Sequence, residues 1–569
     1  MEKKIYRVDL SARTVREGRL EGEHARLGGR GLTSKLILEE TDPLCHPLSS
    51  ENRLFIAPGM LAGTALSNSN RLSVGAKSPL TGGIKESNSG GVVAYKLGRL
   101  GIGAIVLEGR AEPGDLLGIR IDREGVRFED LDELRGQRIY ACADRLRERY
   151  GDKVGLMLVG PAGEMRLSAA CISVTDPEGE PCRNIGRGGM GAVMGSKGVK
   201  ALIVDDTGAP SPLKDKPEAR KSIKRFAELL KQNEVTGHLF AEYGTARTLT
   251  IVNGLGGLPT RNFSEGVFER ADRLGGEALN RTITDRGGMA AHACMPGCLI
   301  RCSNKYVDES GEPIVGSLDY ETLCLLGSNI GIGDMDQVAR LNRLCNEVGL
   351  DTIETGAALG VLAEGGLLRF GDFERAKQLL EEVGEGTPLG RMVGSGSAVC
   401  GKIFGVERVP EVKNQGMPAY DPRVIKGNGV TYAKSPMGAD HTAGNAITAQ
   451  TDHTDPSDKV EISRNLQVFT TVLDILGLCL FSGRAVNLDS SVIEEFIQHY
   501  LGWKTSFDAL RETARGVMKA EREFNRRAGL GDAHDRIPGF MKREPLPPVG
   551  TVFDVDQEQL DAFFAFAEG

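Results

Sequence analysis

Three cysteines, Cys294, Cys298 and Cys302, stand within nine residues of one another, and a Met-Pro-Gly turn separates the first two. A fourth, Cys479, closes an apolar stretch much later in the chain. A Pro-Gly turn can aim closely spaced sulfurs at one point. Four thiolates are the usual ligands of an iron–sulfur cluster, and one often comes from a distant segment. The pattern favours such a cluster, while a zinc knuckle and unrelated buried thiols remain open.

Three other side chains could handle protons. Glu321 stands at the edge of an apolar stretch, where burial would raise the pKa of its carboxyl group. His441 lies in a Gly- and Thr-containing turn, and its imidazole titrates near neutrality. Tyr420 offers a phenol near a Pro- and Gly-rich boundary. Each could act in acid–base catalysis, although a purely structural role is the alternative for each of them.

Two glycine-rich segments carry the features of an anion site. Residues 67–91 combine backbone glycines with Arg71, Asn88 and lysines, and residues 182–197 contain Gly186, Arg187 and Gly188. Successive N–H groups beside cations suit a phosphate. Neither segment has the spacing of a Walker A loop or of a Rossmann fingerprint. Phosphate binding outside a dinucleotide fold is therefore the functional interpretation, and a solvated loop is the structural one.

A short internal echo joins two distant parts of the chain. Residues 346–351 and 474–479 share the frame polar-x-x-Gly-Leu-polar, and each follows an apolar helical pattern. Glycine at this position fits a helix C-cap in the left-handed region. One copy is ordinary helix-end chemistry. Two copies in a chain with a cysteine cluster suggest a pseudo-symmetric ligand held from two sides.

These residues must be positioned by an α+β chain. Residues 1–206 contain short apolar or alternating runs between Gly, Pro and Asn signals, which predict strands. A Pro-rich linker begins near residue 208, and amphipathic patterns such as 218–232 and 335–348 predict helices beyond it. A weaker boundary falls near residue 415. We therefore predict a β-rich domain (1–206) and two mostly helical domains (207–415 and 416–569).

Composition limits the possible partners and compartment. The 569 residues carry a net charge of −8, without a run of five basic residues, which argues against nucleic acid and anionic membranes. We find neither a signal-peptide pattern nor a window of about 18 apolar residues. A cytoplasmic location follows as the prediction. In a reducing cytosol, eleven cysteines indicate metal ligation or free buried thiols, not disulfides.

Taken in order, these motifs resemble the tungsten-containing aldehyde:ferredoxin oxidoreductases over nearly the whole chain. The matching stretches are 1–10, 71–91, 186–197, 294–302, 320–329, 349–351, 419–423, 438–442 and 474–479. The order and separation of the motifs carry the resemblance more than any one motif. It implies a β-rich base for a cofactor, covered by two mostly helical domains.

The resemblance also implies a set of cofactors. These are tungsten, occasionally molybdenum, held by two pyranopterins, a [4Fe–4S] cluster, and Mg²⁺ bridging the pterin phosphates. Cys294, Cys298, Cys302 and Cys479 match the cluster ligands, in a C-x3-C-x3-C spacing where C-x2-C-x3-C is usual in the family. The positions that match cofactor contacts are Arg71, Asn88, Gly186, Arg187, Gly188, Asn346, Gly349, Leu350, Asp351, Asp474, Gly477 and Leu478.

The function implied is oxidation of aldehydes to carboxylic acids, or the reverse, with electrons leaving through the cluster to ferredoxin or a small iron–sulfur subunit. Glu321, Tyr420 and His441 match the acid, phenol and imidazole of the substrate pocket. In this hypothesis Tyr420 or His441 polarises the carbonyl group and Glu321 assists the attack of water. A homodimer is permitted. The alternatives are the catalytic subunit of an aromatic acyl-CoA reductase and a pterin-less iron–sulfur electron carrier.

Overall fold

Two six-stranded sheets form the first third of the chain in the computed structural model, which describes residues 2–567. Met1 and residues 568–569, at the ends of the first and last predicted domains, lie outside the described residues. The first sheet contains β1 (Lys4–Asp9), β2 (Thr14–Arg19), β3 (Leu54–Pro58), β4 (Leu72–Lys77), β5 (Ile84–Ser89) and β6 (Ile102–Glu108). The second contains β7 (Leu117–Asp122), β8 (Gly125–Asp130), β9 (Gly155–Leu158), β10 (Ile172–Val174), β11 (Arg183–Ile185) and β12 (Val199–Val204).

The two sheets have the same topology. Their strand orders are β2-β1-β6-β3-β4-β5 and β8-β7-β12-β9-β10-β11. In the first sheet β1 is parallel to β6, and in the second sheet β7 is parallel to β12. All other neighbouring strands are antiparallel. The apolar side chains of both sheets share one buried cluster, which includes Val8, Ile105, Ile119 and Leu202. The sequence patterns predict strands here but give no sign of this duplication.

Matching helices complete each half. In the first half, α1 (Gly29–Glu40) precedes β3 and α2 (Val93–Arg99) follows β5. In the second, α3 (Ile139–Tyr150) precedes β9, with α4 (Pro161–Glu164) after it, and α5 (Met190–Ser196) follows β11. Strands such as β4 and β12 are buried along their whole length. Near-continuous apolar runs therefore replace strict alternation, as expected for strands that are covered on both faces.

Helices dominate beyond residue 217, and the α+β fold class is confirmed. They are α6 (Pro217–Gln232), α7 (Phe240–Tyr243), α8 (Arg247–Leu255), α9 (Gly276–Arg286), α10 (Tyr320–Leu325), α11 (Met335–Val348), α12 (Thr352–Glu364), α13 (Phe373–Glu385), α14 (Pro388–Val393), α15 (Ser397–Phe404), α16 (Lys426–Lys434), α17 (Lys459–Leu476), α18 (Gly483–Leu488), α19 (Ser491–Leu501), α20 (Phe507–Arg527), α21 (Gly539–Arg543) and α22 (Gln557–Asp561). Short strands interrupt them: β13 (Met289–His292), β14 (Ser303–Val307), β15 (Pro313–Gly316), β16 (Glu411–Val412) and β17 (Gln415–Gly416). The domain boundaries at 206 and 415 remain predictions.

Two of these helices end where the site begins. Asp334 caps α11 by accepting a hydrogen bond from the Gln337 N–H, and the helix ends at Gly349 with φ of 85°. The helix α17 ends in the same way at Gly477, with φ of 79°. Both C-cap predictions are confirmed, because each glycine adopts the left-handed conformation that side chains disfavour.

A helix that spans a membrane must be long enough to cross it and must have a high mean hydropathy. Within residues 2–567, no single helix satisfies both criteria. One pair of helical segments, Lys459–Leu476 and Leu480–Leu488, satisfies them only when taken together, and a bend of 113° separates its halves.

Candidate active site

The four predicted cluster cysteines converge beside the first sheet. Cys294, Cys298 and Cys302 lie on the loop between β13 and β14, and Cys479 follows α17. All are buried except Cys302, which is half-buried, and none forms a disulfide. A hydrogen bond from the Cys294 thiol lowers the pKa of Cys298, and the same contact, with burial, raises the pKa of Cys294. Burial and then the charges of Cys294 and Cys479 raise the pKa of Cys302. The four sulfurs therefore share one buried site.

Polar groups of the first sheet hold this cysteine loop in place. The side-chain amide of Asn68 donates to Cys298 Sγ at 3.2 Å. The backbone carbonyl oxygen of Asn68 accepts from the Cys479 N–H at 2.8 Å. The Gly91 N–H donates to the Cys294 carbonyl oxygen at 2.8 Å. A Cβ atom at Gly90 would lie only 3.3 Å from Cys294 Sγ. A donor set of four thiols, supported by an N–H···S contact, fits an iron–sulfur cluster.

Arg71 and Asn88 lie between the cysteines and the turn at the end of α17. Arg71 Nε donates to Asn88 Oδ1 at 2.6 Å, and Nη2 donates to the Asn88 carbonyl oxygen at 3.1 Å. Asn88 Nδ2 faces Asp474 Oδ1 at 3.4 Å. Burial raises the pKa of Cys479, and the positive charge of Arg71 opposes that rise. The Arg71 guanidinium group thus contacts Asn88 and acts electrostatically on Cys479.

Each Gly-Leu turn packs against a glycine that follows a strand of one sheet. A Cβ at Gly59, after β3, would come within 2.1 Å of the Gly477 Cα. A Cβ at Gly160, after β9, would come within 2.3 Å of the Val348 carbonyl oxygen, next to Gly349. Leu350 and Leu478 are fully buried at the same turns. The two Gly-Leu turns therefore pack at equivalent positions of the two sheets. This is the arrangement needed for the predicted ligand held from two sides.

The duplication identifies one residue that the sequence did not. Asn88 pairs with Ser73 across β4 and β5, and Asn184 pairs with Ser173 across β10 and β11. Asn184 Nδ2 donates to Asn346 Oδ1 at 2.8 Å, as Asn88 faces Asp474. In this segment the family resemblance pointed only to Gly186, Arg187 and Gly188 as cofactor contacts. Alignment of the Ser-Val segments at 73–74 and 173–174 would have been the signal.

Arg187 ties the second turn to the helical part of the chain. Its guanidinium contacts Asp351 at 3.1 Å and Glu354 at 3.4 Å, and it donates to the carbonyl oxygens of Ala439 and Gly416 at 2.6 Å each. A Cβ atom at the flanking Gly186 would contact only Asp351 Oδ1, at 3.8 Å. Gly188 has φ of 77°. Protein acceptors contact Nε, Nη1 and Nη2, and the guanidinium group thereby fixes Asp351 beside the second turn.

The three proton-handling candidates come together at the start of α10. Glu321 Oε2 accepts a hydrogen bond from the Ala419 N–H at 2.8 Å, and its other oxygen lies 3.5 Å from His441 Nδ1. The rings of Tyr420 and His441 have centroids 5.6 Å apart. Glu321 Oε1 and His441 Nδ1 make no hydrogen bond with any described group. Two buried polar atoms are therefore left available for a ligand, which is uncommon without a function.

Burial sets the protonation of this group. Desolvation raises the pKa of Glu321 to about 8, against the opposing hydrogen bond from Ala419 and the charge of Arg187. Desolvation also lowers the pKa of His441 to about 4, although the neighbouring Asp440 favours its charged form. At neutral pH the carboxyl group is protonated and the imidazole is neutral. Opposite shifts in adjacent groups are typical of an acid–base site.

Asn445 fixes the phenol of Tyr420 and was missed by the sequence analysis. Its Nδ2 donates to Tyr420 Oη at 3.2 Å, while its Oδ1 accepts from the Ile447 N–H at 3.2 Å and from Asn428 Nδ2 at 3.1 Å. With its oxygen occupied twice, the amide can offer Tyr420 only a donor. The phenol proton is therefore directed away from Asn445. Tyr320 packs on the same ring, with centroids 5.1 Å apart, and its hydroxyl donates to the Ala419 carbonyl oxygen.

Comparison with known proteins places the chain in one family. Residues 5–206 match the family described as aldehyde ferredoxin oxidoreductase, N-terminal domain, and residues 221–567 match aldehyde ferredoxin oxidoreductase, domains 2 and 3. The chain belongs to the aldehyde ferredoxin oxidoreductase family. The family resemblance predicted from the motifs is thus confirmed, and the chain is an oxidoreductase.

Relatives in the aldehyde ferredoxin oxidoreductase family cover almost the whole chain. A tungsten-containing aldehyde ferredoxin oxidoreductase of Pyrococcus furiosus is 32% identical, over 96% of this chain and 92% of the relative. One from Pyrococcus horikoshii is 34% identical over the same shares. Among solved structures, the active site complex BamBC of benzoyl coenzyme A reductase, with 1,5-dienoyl-CoA, matches with a TM-score of 0.80 at 19% identity, over 100% of this chain and 95% of that one. This last likeness shows a common fold alone.

Proposed function

We propose that the chain oxidises aldehydes to carboxylic acids, or runs the reverse reaction, as a tungsten-dependent member of its family. The observation that carries this proposal is the pair Glu321 Oε1 and His441 Nδ1, 3.5 Å apart, buried beside Tyr420 and free of hydrogen bonds to described groups. Conversion of an aldehyde and water to an acid releases two protons and two electrons. In this pair Glu321 supplies the base, and His441 keeps its surroundings polar without adding charge.

The cofactors proposed are a tungsten, or molybdenum, bis-pyranopterin, a [4Fe–4S] cluster and Mg²⁺ at the pterin phosphates. Cys294, Cys298, Cys302 and Cys479 would hold the cluster. The two Gly-Leu turns and the asparagine pair Asn88 and Asn184 would face the pterins and their phosphates. When bound, these groups would supply the two-electron redox chemistry that the side chains themselves lack. Glycine packing at both turns and a four-thiol donor set support this assignment.

The chain's own residues then divide the work. Tyr420, whose hydroxyl accepts from Asn445, donates its proton to the substrate carbonyl oxygen and polarises the carbon. The Glu321 carboxylate takes a proton from the attacking water. His441, neutral at physiological pH, stays beside Glu321 as a polar neighbour without adding charge. Burial of the site excludes bulk water from these groups.

An activity screen tests the proposal. Anaerobically purified protein is offered short, branched and aromatic aldehydes with a viologen acceptor, and tungsten and iron are measured on the same sample. Aldehyde-dependent viologen reduction by protein that contains tungsten and about four irons per chain is expected. Failure of every aldehyde with fully metallated protein would reject the function.

Ferredoxin or a small iron–sulfur subunit is proposed as the electron partner, and a homodimer and a cytoplasmic location remain predictions.

The pH profile of turnover should report Glu321. Its pKa of about 8 means that the base form is scarce below this pH and predominates above it. We therefore expect kcat/KM for aldehyde oxidation to rise with pH across the interval around pH 8. His441, with a pKa of about 4, is neutral throughout and adds no second limb there. A flat profile between about pH 6 and about pH 9, with circular dichroism unchanged, would contradict Glu321 as the base.

Changing Asn445 should act through Tyr420. In Asn445→Asp, a carboxylate replaces the amide donor, so the Tyr420 hydroxyl donates to it instead of to the substrate. We expect kcat/KM to fall by about 10²-fold, the loss typical of a missing donor to a developing oxyanion. In a Tyr420→Phe background, Asn445→Asp should have almost no further effect. An equal loss in both backgrounds would show that Asn445 has a separate, structural role.

A further inference from the structure

We propose that the face around the cysteine loop is the docking surface for an acidic iron–sulfur electron carrier. Three segments, residues 240–247, 294–302 and 479–488, form this face, which we call the arginine face. It serves the proposed function, on which the assignment rests, as the place where the released electrons leave the chain. The partner is recognised by negative charge around a small apolar centre.

Side-chain packing and backbone contacts join the three segments. The rings of Phe240 and Phe481 have centroids 4.4 Å apart, which holds the first segment against the third. A Cβ atom at Gly244 would lie only 2.9 Å from the Cys302 carbonyl oxygen, so the first segment also packs on the cysteine loop. Cys479, which begins the third segment, raises the pKa of Cys302 from within the same cysteine site. One continuous face therefore surrounds the cysteines.

The cysteine site comes nearest to solvent at the arginine face. Cys302 is half-buried there, whereas the other three cysteines are buried. On the same loop, Gly297 and Arg301 are exposed and Leu299 is half-buried. Leu488, at the end of the third segment, is 61% exposed. A partner that covers this face thus buries apolar side chains and stands next to the half-buried thiol.

Unpaired arginines give the arginine face a positive charge. Its segments contain Arg247, Arg301 and Arg484 against one acidic residue, Glu242, whereas the whole chain carries −8. In the part of the chain that the structure describes, none of the three guanidinium groups forms an ion pair or a hydrogen bond. Burial and then the charge of Arg247 lower the pKa of Arg484, so two like charges stand close together. A negatively charged partner relieves this repulsion when it binds.

The charge of the remaining surface decides which carrier fits. An acidic carrier is repelled by a chain of net charge −8 except at a local positive face, so it arrives oriented toward the cysteines. A basic carrier is attracted to most of the other surface and gains no such orientation. Two encounters, each of which reduces one oxidised carrier by one electron, balance the oxidation of one aldehyde molecule.

Binding and turnover are measured separately to test the arginine face. The iron-loaded protein is titrated anaerobically with an oxidised, acidic two-cluster ferredoxin in a calorimeter, and viologen reduction is assayed on the same sample. We expect Arg301→Glu to weaken ferredoxin binding by about 10-fold, because an attraction at an exposed site becomes a repulsion. Arg301→Lys keeps the charge and should bind like the unmodified chain. Raising the ionic strength from about 0.05 M to about 0.5 M should weaken binding by the unmodified chain.

The matched control is Arg123→Glu, which makes the same charge change at an exposed arginine on the hairpin between β7 and β8. It should leave ferredoxin binding unchanged. Both glutamate variants should keep their iron and their viologen reduction, since a small acceptor needs no docking surface. Loss of viologen reduction in the unmodified protein, with ferredoxin binding intact and sensitive to Arg301→Glu, would reject the proposed function and support the docking surface.

Three results would overturn the docking surface. The first is that the unmodified, iron-loaded protein does not bind the ferredoxin. The second is that Arg301→Glu and Arg123→Glu weaken binding equally, which would make the effect one of net charge. The third is that Arg301→Glu changes the oligomeric state measured by sedimentation, which would make this face an interface between copies of the chain.

Discussion

Glu321→Gln should abolish nearly all aldehyde oxidation and leave tungsten and iron content unchanged. The amide keeps an oxygen that can accept from the Ala419 N–H, as Glu321 Oε2 does at 2.8 Å, so the local fold is preserved. It cannot take a proton from water. Loss of a positioned general base costs about 10²–10⁴-fold in rate, and we expect the upper part of that range because Glu321 Oε1 is buried without a hydrogen bond to any described group.

A matched variant separates chemistry from charge. Glu382→Gln alters a carboxylate that pairs with Arg375 at 3.2 Å on α13, outside the site, and should turn over at the unmodified rate. Turnover is measured anaerobically with a viologen acceptor, and metals are measured on each sample. Unmodified turnover of Glu321→Gln would remove Glu321 from the proposed mechanism. A variant that loses tungsten would instead assign the carboxylate to cofactor retention.

Cys479→Ser tests whether Cys479 is the fourth ligand of the proposed cluster. Cys479 is the one cluster candidate that comes from beyond α17, and its N–H bonds to the Asn68 carbonyl oxygen, so its loss leaves the loop of Cys294, Cys298 and Cys302 intact. We expect iron to fall below about four per chain. Acceptor reduction should fall by at least about 10–100-fold, since that much is typical when even a supporting contact at a metal site is lost.

The control for this variant is another buried thiol. Cys400→Ser changes a fully buried cysteine on α15, whose sulfur contacts the Met392 carbonyl oxygen, and should keep both iron and activity. Iron analysis and the visible absorption of the cluster are read on both proteins. If Cys479→Ser retained four irons and full acceptor reduction, Cys479 would not be a ligand. The fourth ligand would then have to be sought elsewhere.

Local patterns predicted the elements well. The helices at 217–232 and 335–348, the strands of the first 206 residues and the glycine caps at Gly349 and Gly477 all rest on short-range physics, so one window of sequence contains the information. The family resemblance then supplied the candidate residues. The structure brings Glu321, Tyr420 and His441 into one cluster of side chains and gathers the four cysteines in another, and their roles remain proposals.

What the sequence left out depends on contacts between distant segments. Asn184 meets a partner 162 residues away, and its equivalence to Asn88 appears only when the two sheets are superposed strand for strand. Asn445 acquires its role from the Asn428 amide and the Ile447 N–H, which fix the direction of its own amide. The opposite pKa shifts of Glu321 and His441 come from burial by the whole fold, which no local pattern contains.

The two sheets are alike in topology but not in what stands beside them. Gly59 meets its turn where Arg71 and the four cysteines lie, whereas Gly160 meets its turn where Arg187 leads to Asp351 and the helical cover. The two halves of the duplicated domain therefore differ in the residues that surround their turns. If the four cysteines hold the cluster, as proposed, only one of the two turns lies beside it, and the duplicated sheets would give the released electrons a single exit, on the side of Arg71.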